Sequence, residues 1–333
     1  ICLQNMIISR TPLRISFFSG GSDMASFYEK EDGAALSITI DKYIHVFVRK
    51  VPHNGIKTMY DKVEECQDIN EMQDGITKEA LKYFYVDKDI SIASISDIAS
   101  KGSGLGSSSA FSVGLLNSLE YMKFRYQMIS RQAAELSYFI EKEKCGYPVG
   151  KQDQYAAAYG GLNLFEFTKS GFVKVNKKTF TPYVYELEKN LLLVYSGKGR
   201  VANKILQKQK EAMSQEDKFK LVANSRDKAY KGYEHILNGE LDKFGQLLHE
   251  SWLDKKQVAQ EISDEYFDDI YNKAINAGSL GGKLLGAGGG GFFVFYTTPD
   301  KKEQVIRSVT DGTECKIYNF NFTEHGSRIT SYC

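Results

Sequence analysis

Apolar and polar residues alternate in several short segments, and this period of two predicts β-strands. The segments "LRISFF", "ALSITI" and "YIHVFVRK" show it in the first fifty residues, and "DISIASIS" at 89–96 is a shorter example. A strongly apolar strand at 191–195 and a segment with Tyr318, Phe320 and Phe322 on one face follow later. We therefore expect a sheet at the start of the chain and further strands near its end.

Apolar residues at helical spacing predict helices between these strands. Phe111, Leu115, Leu119 and Met122 form one such stripe, directly after a run of glycines and serines. A second helix is expected to begin at an N-cap on Ser130 and to end before Gly146, and a short helix is expected within "GKQDQYAAAYGG". Four more are expected at 214–237, where Ser214 and Asp217 form a capping box, and at 240–258, 263–277 and 300–309. A loop rich in glycine and serine thus connects a strand to a helix.

The chain changes character around "YELEKNLLLVYSGKGR", where long helices with polar faces replace the early strands. At 333 residues the chain is longer than most single domains, so we expect two, at 1–188 and 189–333. Strands paired with segregated helices favour an α+β class over a doubly wound sheet.

Composition narrows the classes of function. The 43 Lys and Arg residues nearly balance the 42 Asp and Glu residues, so no overall field attracts nucleic acid or an anionic membrane. The five cysteines are scattered, which favours reduced thiols over a disulfide framework or a zinc site. With no apolar run of membrane-spanning length, the sequence predicts a soluble, cytoplasmic protein without a membrane partner.

The segment "KGSGLGSSSAFSVGLL" at 101–116 has the composition of a phosphate-binding loop. Gly102, Gly104 and Gly106 allow successive backbone N–H groups to turn inward, and the following helix adds its positive end. The pattern is neither a Walker A loop nor the dinucleotide fingerprint. Because turns collect glycine and serine anyway, a purely structural turn remains an alternative at this point.

Two further segments strengthen the functional interpretation. "PVGKQDQY" places Asp153 in a glycine-flanked turn behind Glu141, so one carboxylate could hold a metal and the other could meet a hydroxyl. The alternative is a solvated helix face for Glu141 and a helix cap for Asp153. "GAGGGGFF" has four consecutive glycines before a strand, which indicates close approach by a ligand or another backbone.

These segments together resemble the signatures of the GHMP small-molecule kinases. "RTPLRISFFSGGSD", "GSGLGSSSA" and "KLLGAGGGG" occur in the family's order, with "GKQDQY" between the second and third, and the match covers nearly the whole chain. Within the family, "SFFSGGSD" and "GKQDQYAAAYGGLN" look most like the D-glycero-D-manno-heptose 7-phosphate kinases, and L-fucose kinases share some of this. The resemblance implies a ribosomal-protein-S5-domain-2-like N-terminal domain and a ferredoxin-like α/β C-terminal domain.

The resemblance also implies roles for particular residues. Asp153 would orient or deprotonate the attacking hydroxyl, and Arg14 would pair with it. ATP would be bound by Gly102, Gly104, Leu105, Gly106, Ser107, Ser108 and Ser109, with Ser108 and Glu141 as Mg²⁺ ligands. The substrate would contact Asp23, Gly21, Ser22, Gly150, Arg200, Gly288 and Gly289. A phosphate on the sugar needs a basic contact, for which Lys198, Arg200 and Lys151 are candidates.

The activity implied by the resemblance is ATP-dependent phosphorylation of the anomeric hydroxyl of a sugar phosphate. The expected reaction converts D-glycero-D-manno-heptose 7-phosphate to the 1,7-bisphosphate, in the synthesis of nucleotide-activated heptose for surface polysaccharide. Alternatives are an L-fucose- or galactose-type sugar 1-kinase, a phosphorylating decarboxylase, and a sugar and nucleotide sensor without catalysis. The oligomeric state is left open, with a homodimer as one candidate.

Overall fold

The computed structural model describes residues 6–18, 21–52, 55–60, 62–98, 102–199 and 202–332. The strands are β1 (Met6–Phe18), β2 (Gly33–Lys50), β3 (Ile56–Met59), β4 (Val63–Cys66), β5 (Ile90–Ser96), β6 (Leu162–Phe167), β7 (Val173–Lys178), β8 (Leu191–Tyr195), β9 (Gly281–Leu284), β10 (Phe292–Tyr296), β11 (Lys316–Tyr318) and β12 (Arg328–Tyr332). The helices are α1 (Ala25–Tyr28), α2 (Gly75–Tyr83), α3 (Ser107–Phe124), α4 (Ser130–Phe139), α5 (Gln152–Tyr159), α6 (Pro182–Asn190), α7 (Ala202–Ala212), α8 (Glu216–Asn238), α9 (Leu241–Val258), α10 (Glu265–Asn276) and α11 (Lys302–Thr310). Short 3₁₀ turns at Ile69–Glu71 and Gln260–Ile262 and a π-helical turn at Ile140–Lys144 complete the elements.

The first sheet is organised around two long antiparallel strands, β1 and β2. Their register runs from Ile7 opposite Val48 to Phe18 opposite Leu36. The early part of β2 also pairs with β6, and its later part pairs with β5, so one strand belongs to two branches of the sheet. Because the central strands are covered on both faces, every residue in the last third of β1 is buried.

The second sheet has the strand order β11-β8-β10-β9 and is antiparallel throughout. All five residues of β10 are buried, which explains the uninterrupted apolar sequence "FFVFY". On one side, Trp252 of α9 contacts Phe293 edge-on, with ring centroids 6.3 Å apart. This second core packs separately from the one around β1 and β2.

The two halves of the chain are packed against each other. Phe244 of α9 meets the ring of Phe17 edge-on at a centroid distance of 5.0 Å, and Gly232 of α8 lies against the ring of Phe18. After the second sheet the chain returns to the first, where β12 pairs with β1. The domain limits at 188 and 189 stay a prediction, and the strand that closes the described chain lies in the first sheet.

Most predicted elements are present, and several details of the sequence interpretation were wrong. "ALSITI" and "YIHVFVRK" form the single strand β2. No side chain caps α4, whose N-cap is Ile129 instead of Ser130. Ser214 lies in the turn between α7 and α8 and its hydroxyl donates to the Glu211 carbonyl, so it does not begin a helix. Among the described residues, no helix is both long and apolar enough to cross a membrane.

Candidate active site

A cavity of about 650 Å³ lies between the first sheet, α3, α5 and the second half of the chain. Its lining from the first half includes Arg14, Ser16, Gly21, Asp23, Ile44, Tyr60, Asp74, Gly102, Gly104, Gly106, Ser107, Ser108, Ser109, Phe111, Glu141, Gly150, Gln152, Asp153 and Gln154. The second half contributes Leu206, Gln209, Lys255, Lys283, Gly286 and Ala287. Nearly all the chemistry-bearing residues that the sequence suggests therefore face one space.

The glycine–serine segment forms a turn directly before α3. Gly102, Gly104 and Gly106 have φ angles of +68°, +80° and +78°, which only glycine adopts without strain. Gly106 is the N-cap of α3, and no side chain caps the helix. The N–H groups of the first turn are thus left for an anion, which the positive end of an 18-residue helix also favours.

Backbone contacts hold this turn from two sides. The Arg14 N–H of β1 donates to the Leu105 carbonyl at 3.0 Å, and the Phe292 N–H of β10 donates to the Ser103 carbonyl at 3.0 Å. A Cβ atom at Gly291 would lie 2.3 Å from the Ser103 carbonyl oxygen. Because Gly291 has no side chain, the second half of the chain can contact the glycine–serine loop before α3 directly.

Arg14 and Asp153 form a bidentate ion pair beside the loop. The Arg14 Nε and Nη2 atoms donate to the two Asp153 carboxylate oxygens at 2.8 Å each, and Nη1 donates to the Gly104 carbonyl at 2.6 Å. Arg14 is 4% exposed, whereas the Asp153 side chain is 35% exposed. Asp153 lies in the first turn of α5, not in a loop, and its fixed carboxylate is open to the cavity.

Glu141 is buried at the end of α4, where the helix widens into the π-helical turn. Its carboxylate accepts hydrogen bonds from the hydroxyls of Ser109 at 3.2 Å and Ser137 at 3.1 Å, and from Gln154 Nε2 at 3.1 Å. Burial raises the pKa of Glu141 to about 7, against the lowering effect of these three donors. The alternative of a solvated helix face is excluded, because Glu141 is 1% exposed.

Two of the three serines predicted to bind the nucleotide have different surroundings. Ser109 is the one hydrogen-bonded to Glu141, while Ser108 is exposed at the cavity wall. The Oε1 atom of Gln154 is buried and has no hydrogen-bond partner among the described residues. Oxygen atoms of Ser109, Glu141 and Gln154 therefore lie close together where the loop meets the π-helical turn.

Asp23 lies next to the Asp153 end of the cavity. Its Oδ2 atom accepts a hydrogen bond from the Gln152 N–H at 3.3 Å, and a Cβ atom at Gly150 would lie 2.1 Å from that oxygen. Burial, followed by the charge of Asp153, raises the pKa of Asp23 to about 6. Gly21 and Gly150 also line this end of the cavity, as the sequence predicts for substrate-binding residues.

Other predicted substrate residues are engaged elsewhere in the fold. The Ser22 hydroxyl donates to the Ala34 carbonyl at 2.8 Å and accepts from the Ala34 N–H at 3.2 Å. Gly288 and Gly289 lie against Ile262, and the Gly289 N–H donates to the Ile262 carbonyl at 2.8 Å. Arg200 falls outside the described residues.

The two lysine candidates for a sugar phosphate are likewise occupied. Lys151 Nζ donates to the Gly171 carbonyl at 2.6 Å and lies 3.4 Å from a Glu135 carboxylate oxygen. Lys198 Nζ lies over the Tyr266 ring, 3.7 Å from its centroid, in a cation–π contact. Neither lysine is part of the cavity wall as the described residues form it.

Sequence reasoning missed two lysines that do line the cavity, Lys255 of α9 and Lys283 of β9. Lys255 is 7% exposed and its ammonium donates to the carbonyls of Leu284 and Gly286, at 3.2 and 2.5 Å. A signal was present for Lys255, which occupies the apolar stripe of Leu248 and Trp252 on α9, where an apolar residue is expected. Lys283 lies in the short segment Gly281–Leu284, which has no apolar pattern to indicate a buried position.

Comparisons with known proteins find matches in both halves of the chain. The family model for the GHMP kinases N terminal domain matches residues 70–161, and the model for GHMP kinases C terminal matches 233–313. A D-glycero-alpha-D-manno-heptose 7-phosphate kinase of Campylobacter jejuni is 31% identical over 96% of this chain and 97% of its own.

Two solved structures have a similar fold over almost the entire chain. A D-glycero-D-manno-heptose 1-phosphate kinase from Bacteroides thetaiotaomicron has a TM-score of 0.78 at 25% identity, covering 97% of this chain and 98% of its own. A putative sugar kinase from Campylobacter jejuni has a TM-score of 0.76 at 29% identity, covering 98% of each chain. The similarity of the fold therefore extends across both halves of the molecule.

Proposed function

The chain belongs to the GHMP kinase family, and we propose that it transfers the γ-phosphoryl group of ATP to the anomeric hydroxyl of D-glycero-D-manno-heptose 7-phosphate. The product would be the 1,7-bisphosphate. The observation that carries this proposal is the Asp153 carboxylate, held by Arg14 at the edge of the loop that precedes α3. A hydroxyl acceptor and a phosphate donor can therefore be brought together in one cavity.

The loop and α3 would hold the phosphates of ATP. Left-handed glycines turn the backbone toward the cavity, and the uncapped first turn of α3 adds N–H donors. The apolar and aromatic lining at Ile44, Tyr60 and Phe111 offers a surface for the base at the far side of the loop. ATP as the phosphate donor fits this arrangement better than a small anion, since the cavity extends well beyond the loop.

A magnesium ion fits the oxygen atoms near the loop. Glu141 is a buried carboxylate without a cationic partner among the described residues, and burial raises its pKa to about 7. Glu141 and the Ser108 hydroxyl are the groups that would hold the ion, and both line the cavity. When bound, Mg²⁺ supplies charge compensation for the phosphate oxygens during transfer.

Asp153 and Arg14 would act on the acceptor side of the reaction. Asp153 would accept a hydrogen bond from the anomeric hydroxyl and direct its oxygen in line toward the γ-phosphorus. Arg14 keeps the carboxylate in one orientation and adds positive charge where negative charge develops. Such alignment can contribute roughly 7 to 11 kcal/mol of barrier lowering. We expect assistance by Asp153 during transfer, not complete deprotonation beforehand.

The choice of a heptose phosphate rests on similarity across the whole chain. The Campylobacter relative is named a heptose 7-phosphate kinase, and the Bacteroides structure is named a heptose 1-phosphate kinase. Both names specify a heptose that carries one phosphate. A transferable hydroxyl at C1 requires the existing phosphate to be at another carbon, and we therefore propose the 7-phosphate.

The test is a substrate panel measured by ADP release with Mg-ATP in excess. The panel contains D-glycero-D-manno-heptose 7-phosphate, the same heptose without phosphate, L-fucose and D-galactose. We expect kcat/KM to be at least about 100-fold higher for the heptose 7-phosphate than for the other sugars. A higher kcat/KM for fucose or galactose would show that the proposed substrate is wrong. No turnover of any sugar would show that the proposed activity is wrong.

A further inference from the structure

Lys283 is a buried cation in the cavity wall that the proposed chemistry does not yet use. It is 3% exposed, and within the described parts of the chain its one hydrogen bond goes from Nζ to the Phe17 carbonyl at 2.7 Å. An ammonium group carries three N–H donors. Two donors of Lys283 therefore lack a protein acceptor in the structure as described, and the side chain lines the cavity.

Its electrostatic surroundings make this position costly for a cation. No carboxylate lies within ion-pairing distance of Lys283 in the described residues, and the positive charge of Arg14 acts on it unfavourably. Burial is the larger effect, and together they lower the pKa of Lys283 to about 7. Buried cations in proteins are normally compensated by an anion. No such anion lies beside Lys283 in the described residues, and a bound ligand would supply one.

Two anions can enter this cavity: the γ-phosphate of the nucleotide and a phosphate carried by the sugar. The point at which Lys283 contacts β1 favours the phosphate carried by the sugar. Arg14 contacts the nucleotide loop through Leu105 and Gly104, whereas Lys283 contacts Phe17, three residues or about 10 Å farther along the strand. Beyond Phe17 the chain continues toward Gly21 and Asp23, which line the substrate end.

A second ammonium group lies on the same wall. Lys255 of α9 donates to the carbonyls of Leu284, the neighbour of Lys283, and Gly286. Those two carbonyls fix its position at the start of the glycine run. Both lysines come from the second half of the chain and line the same cavity as Asp153 and Arg14 of the first half.

We propose that Lys283, with Lys255 in the same cavity lining, binds the phosphate that the sugar substrate already carries. This inference rests on the proposed function and adds to it the site that selects a phosphorylated sugar. Charge-assisted hydrogen bonds to phosphate are among the stronger polar contacts in proteins. Lys283 would thereby place the C1 hydroxyl at Asp153 by holding the opposite end of the sugar.

The experiment compares wild-type protein with K283M, K283R and K302M. Met keeps the length of the lysine side chain without its charge. Lys302 is a matched control, because its Nζ also donates to a single backbone carbonyl, that of Lys189, and it lies outside the cavity lining. For each protein kcat/KM is measured with D-glycero-D-manno-heptose 7-phosphate and with the unphosphorylated heptose, and KM is measured for ATP.

We expect K283M to reduce the preference for the phosphorylated sugar, expressed as the ratio of the two kcat/KM values, by about 10- to 100-fold. K283R should retain part of the preference, and K302M should retain all of it. Equal losses with both sugars would overturn the inference. A raised KM for ATP with an unchanged sugar preference would assign Lys283 to the γ-phosphate instead.

A binding measurement separates this inference from the proposed function. Calorimetric titration of D-glycero-D-manno-heptose 7-phosphate, with ADP present, is carried out on wild-type and K283M protein. We expect affinity at least about 10-fold weaker in K283M, whether or not turnover is detected. Equal affinities, or no binding by the wild type, would overturn the phosphate site. Turnover of unphosphorylated sugars alone would show that the protein is a sugar kinase and that Lys283 does not bind a substrate phosphate.

Discussion

At the scale of single residues, burial gives the two carboxylates of the site different surroundings. Asp153 is held by two hydrogen bonds from Arg14 and stays open to the cavity. Glu141 is enclosed, receives three neutral donors, and has a raised pKa because of burial. The surroundings of Asp153 suit a carboxylate that orients a hydroxyl, and those of Glu141 suit a carboxylate that binds a cation.

The role of Asp153 predicts the behaviour of D153N. The amide keeps the size of the side chain but cannot accept a proton or two strong bonds from Arg14. We expect kcat to fall about 10²- to 10⁴-fold while the dissociation constant for ATP changes little. Steady-state kinetics and calorimetric titration with ATP check this, with the melting temperature measured to verify folding. Unchanged kcat would remove Asp153 from the mechanism.

The buried Lys283 predicts a pH-dependent difference in stability. Its pKa is lowered from the ordinary value of 10.5 to about 7. Between these values the unfolded chain binds the proton and the folded chain does not, so the contribution of this group to stability rises with pH in that window. The melting temperature of the wild type should therefore rise relative to that of K283M from pH 7 to pH 9. A difference that stays constant would contradict a buried, titrating amine at this position.

Residue types could be predicted from the sequence better than their partners. The sequence indicates Gly102, Asp153 and Glu141 as functional residues by their chemistry, and all three line one cavity in the structure. The hydrogen bond from Ser109 to Glu141 depends on the rotation of α3 against α4, which no local pattern encodes. Lys283 was overlooked because a lysine is usually exposed, and only its three-dimensional surroundings show that this one is buried.

At the scale of elements, the glycine run before β10 is explained mainly by contacts between backbones. Gly290 approaches the carbonyls of Lys198 and Gly199, and Gly291 approaches those of Gly102 and Ser103. The sequence left a ligand and another backbone as alternatives for this run. Gly286 does line the cavity, so the beginning of the run faces the ligand space and its end supports the loop.

The contact at Gly291 predicts an indirect effect on nucleotide binding. In G291A the new methyl group would meet the Ser103 carbonyl, in addition to strain at a φ of +95° of about 1–3 kcal/mol. We expect the loop to shift and ATP affinity to fall at least about 10-fold, although Gly291 is absent from the cavity lining among the described residues. Calorimetric titration with ATP measures this.

Gly312 provides the control for that prediction. Its φ is +68°, and a Cβ atom there would meet nothing within 4 Å. G312A therefore introduces backbone strain without a clash, and ATP affinity should match that of the wild type. Equal losses of affinity in G291A and G312A would show that the loop contact is not the cause.

Elements with a strong apolar period were predicted well, and polar or short ones were not. The stripe in α9 and the alternation in the later part of β2 are evident from the sequence because one face of each is buried more deeply than the other. The polar helix α7 and the short strand β9 have no such pattern. Their formation depends on packing against the rest of the molecule, which a local window does not contain.

At the scale of the whole molecule, the two-domain α+β GHMP kinase fold implied by the resemblance is confirmed. The cavity is formed by both halves, with Asp153 and the loop on one side and Lys255 and Lys283 on the other. Composition and periodicity alone predicted an α+β class. The arrangement of the two halves could not be predicted from local patterns, because long-range contacts such as β12 with β1 leave no local signal.

The packing between the halves predicts cooperative unfolding. Phe17 and Phe18 of the first sheet contact Phe244 of α9, and β12 ties the end of the described chain to β1. We expect a single thermal transition by circular dichroism, shifted upward by Mg-ATP because the ligand binds the folded state. Two separate transitions, one insensitive to the nucleotide, would contradict this coupling.

The central claim is that the cavity directs the anomeric hydroxyl of a sugar phosphate to the γ-phosphate of ATP. Two-dimensional ¹H–³¹P correlation NMR of the product from D-glycero-D-manno-heptose 7-phosphate and Mg-ATP tests it most directly. We predict a new phosphorus signal that correlates with the proton at C1, while the signal of the 7-phosphate remains. A new phosphate correlated with any other carbon-bound proton, or no new sugar phosphate at all, would contradict the account.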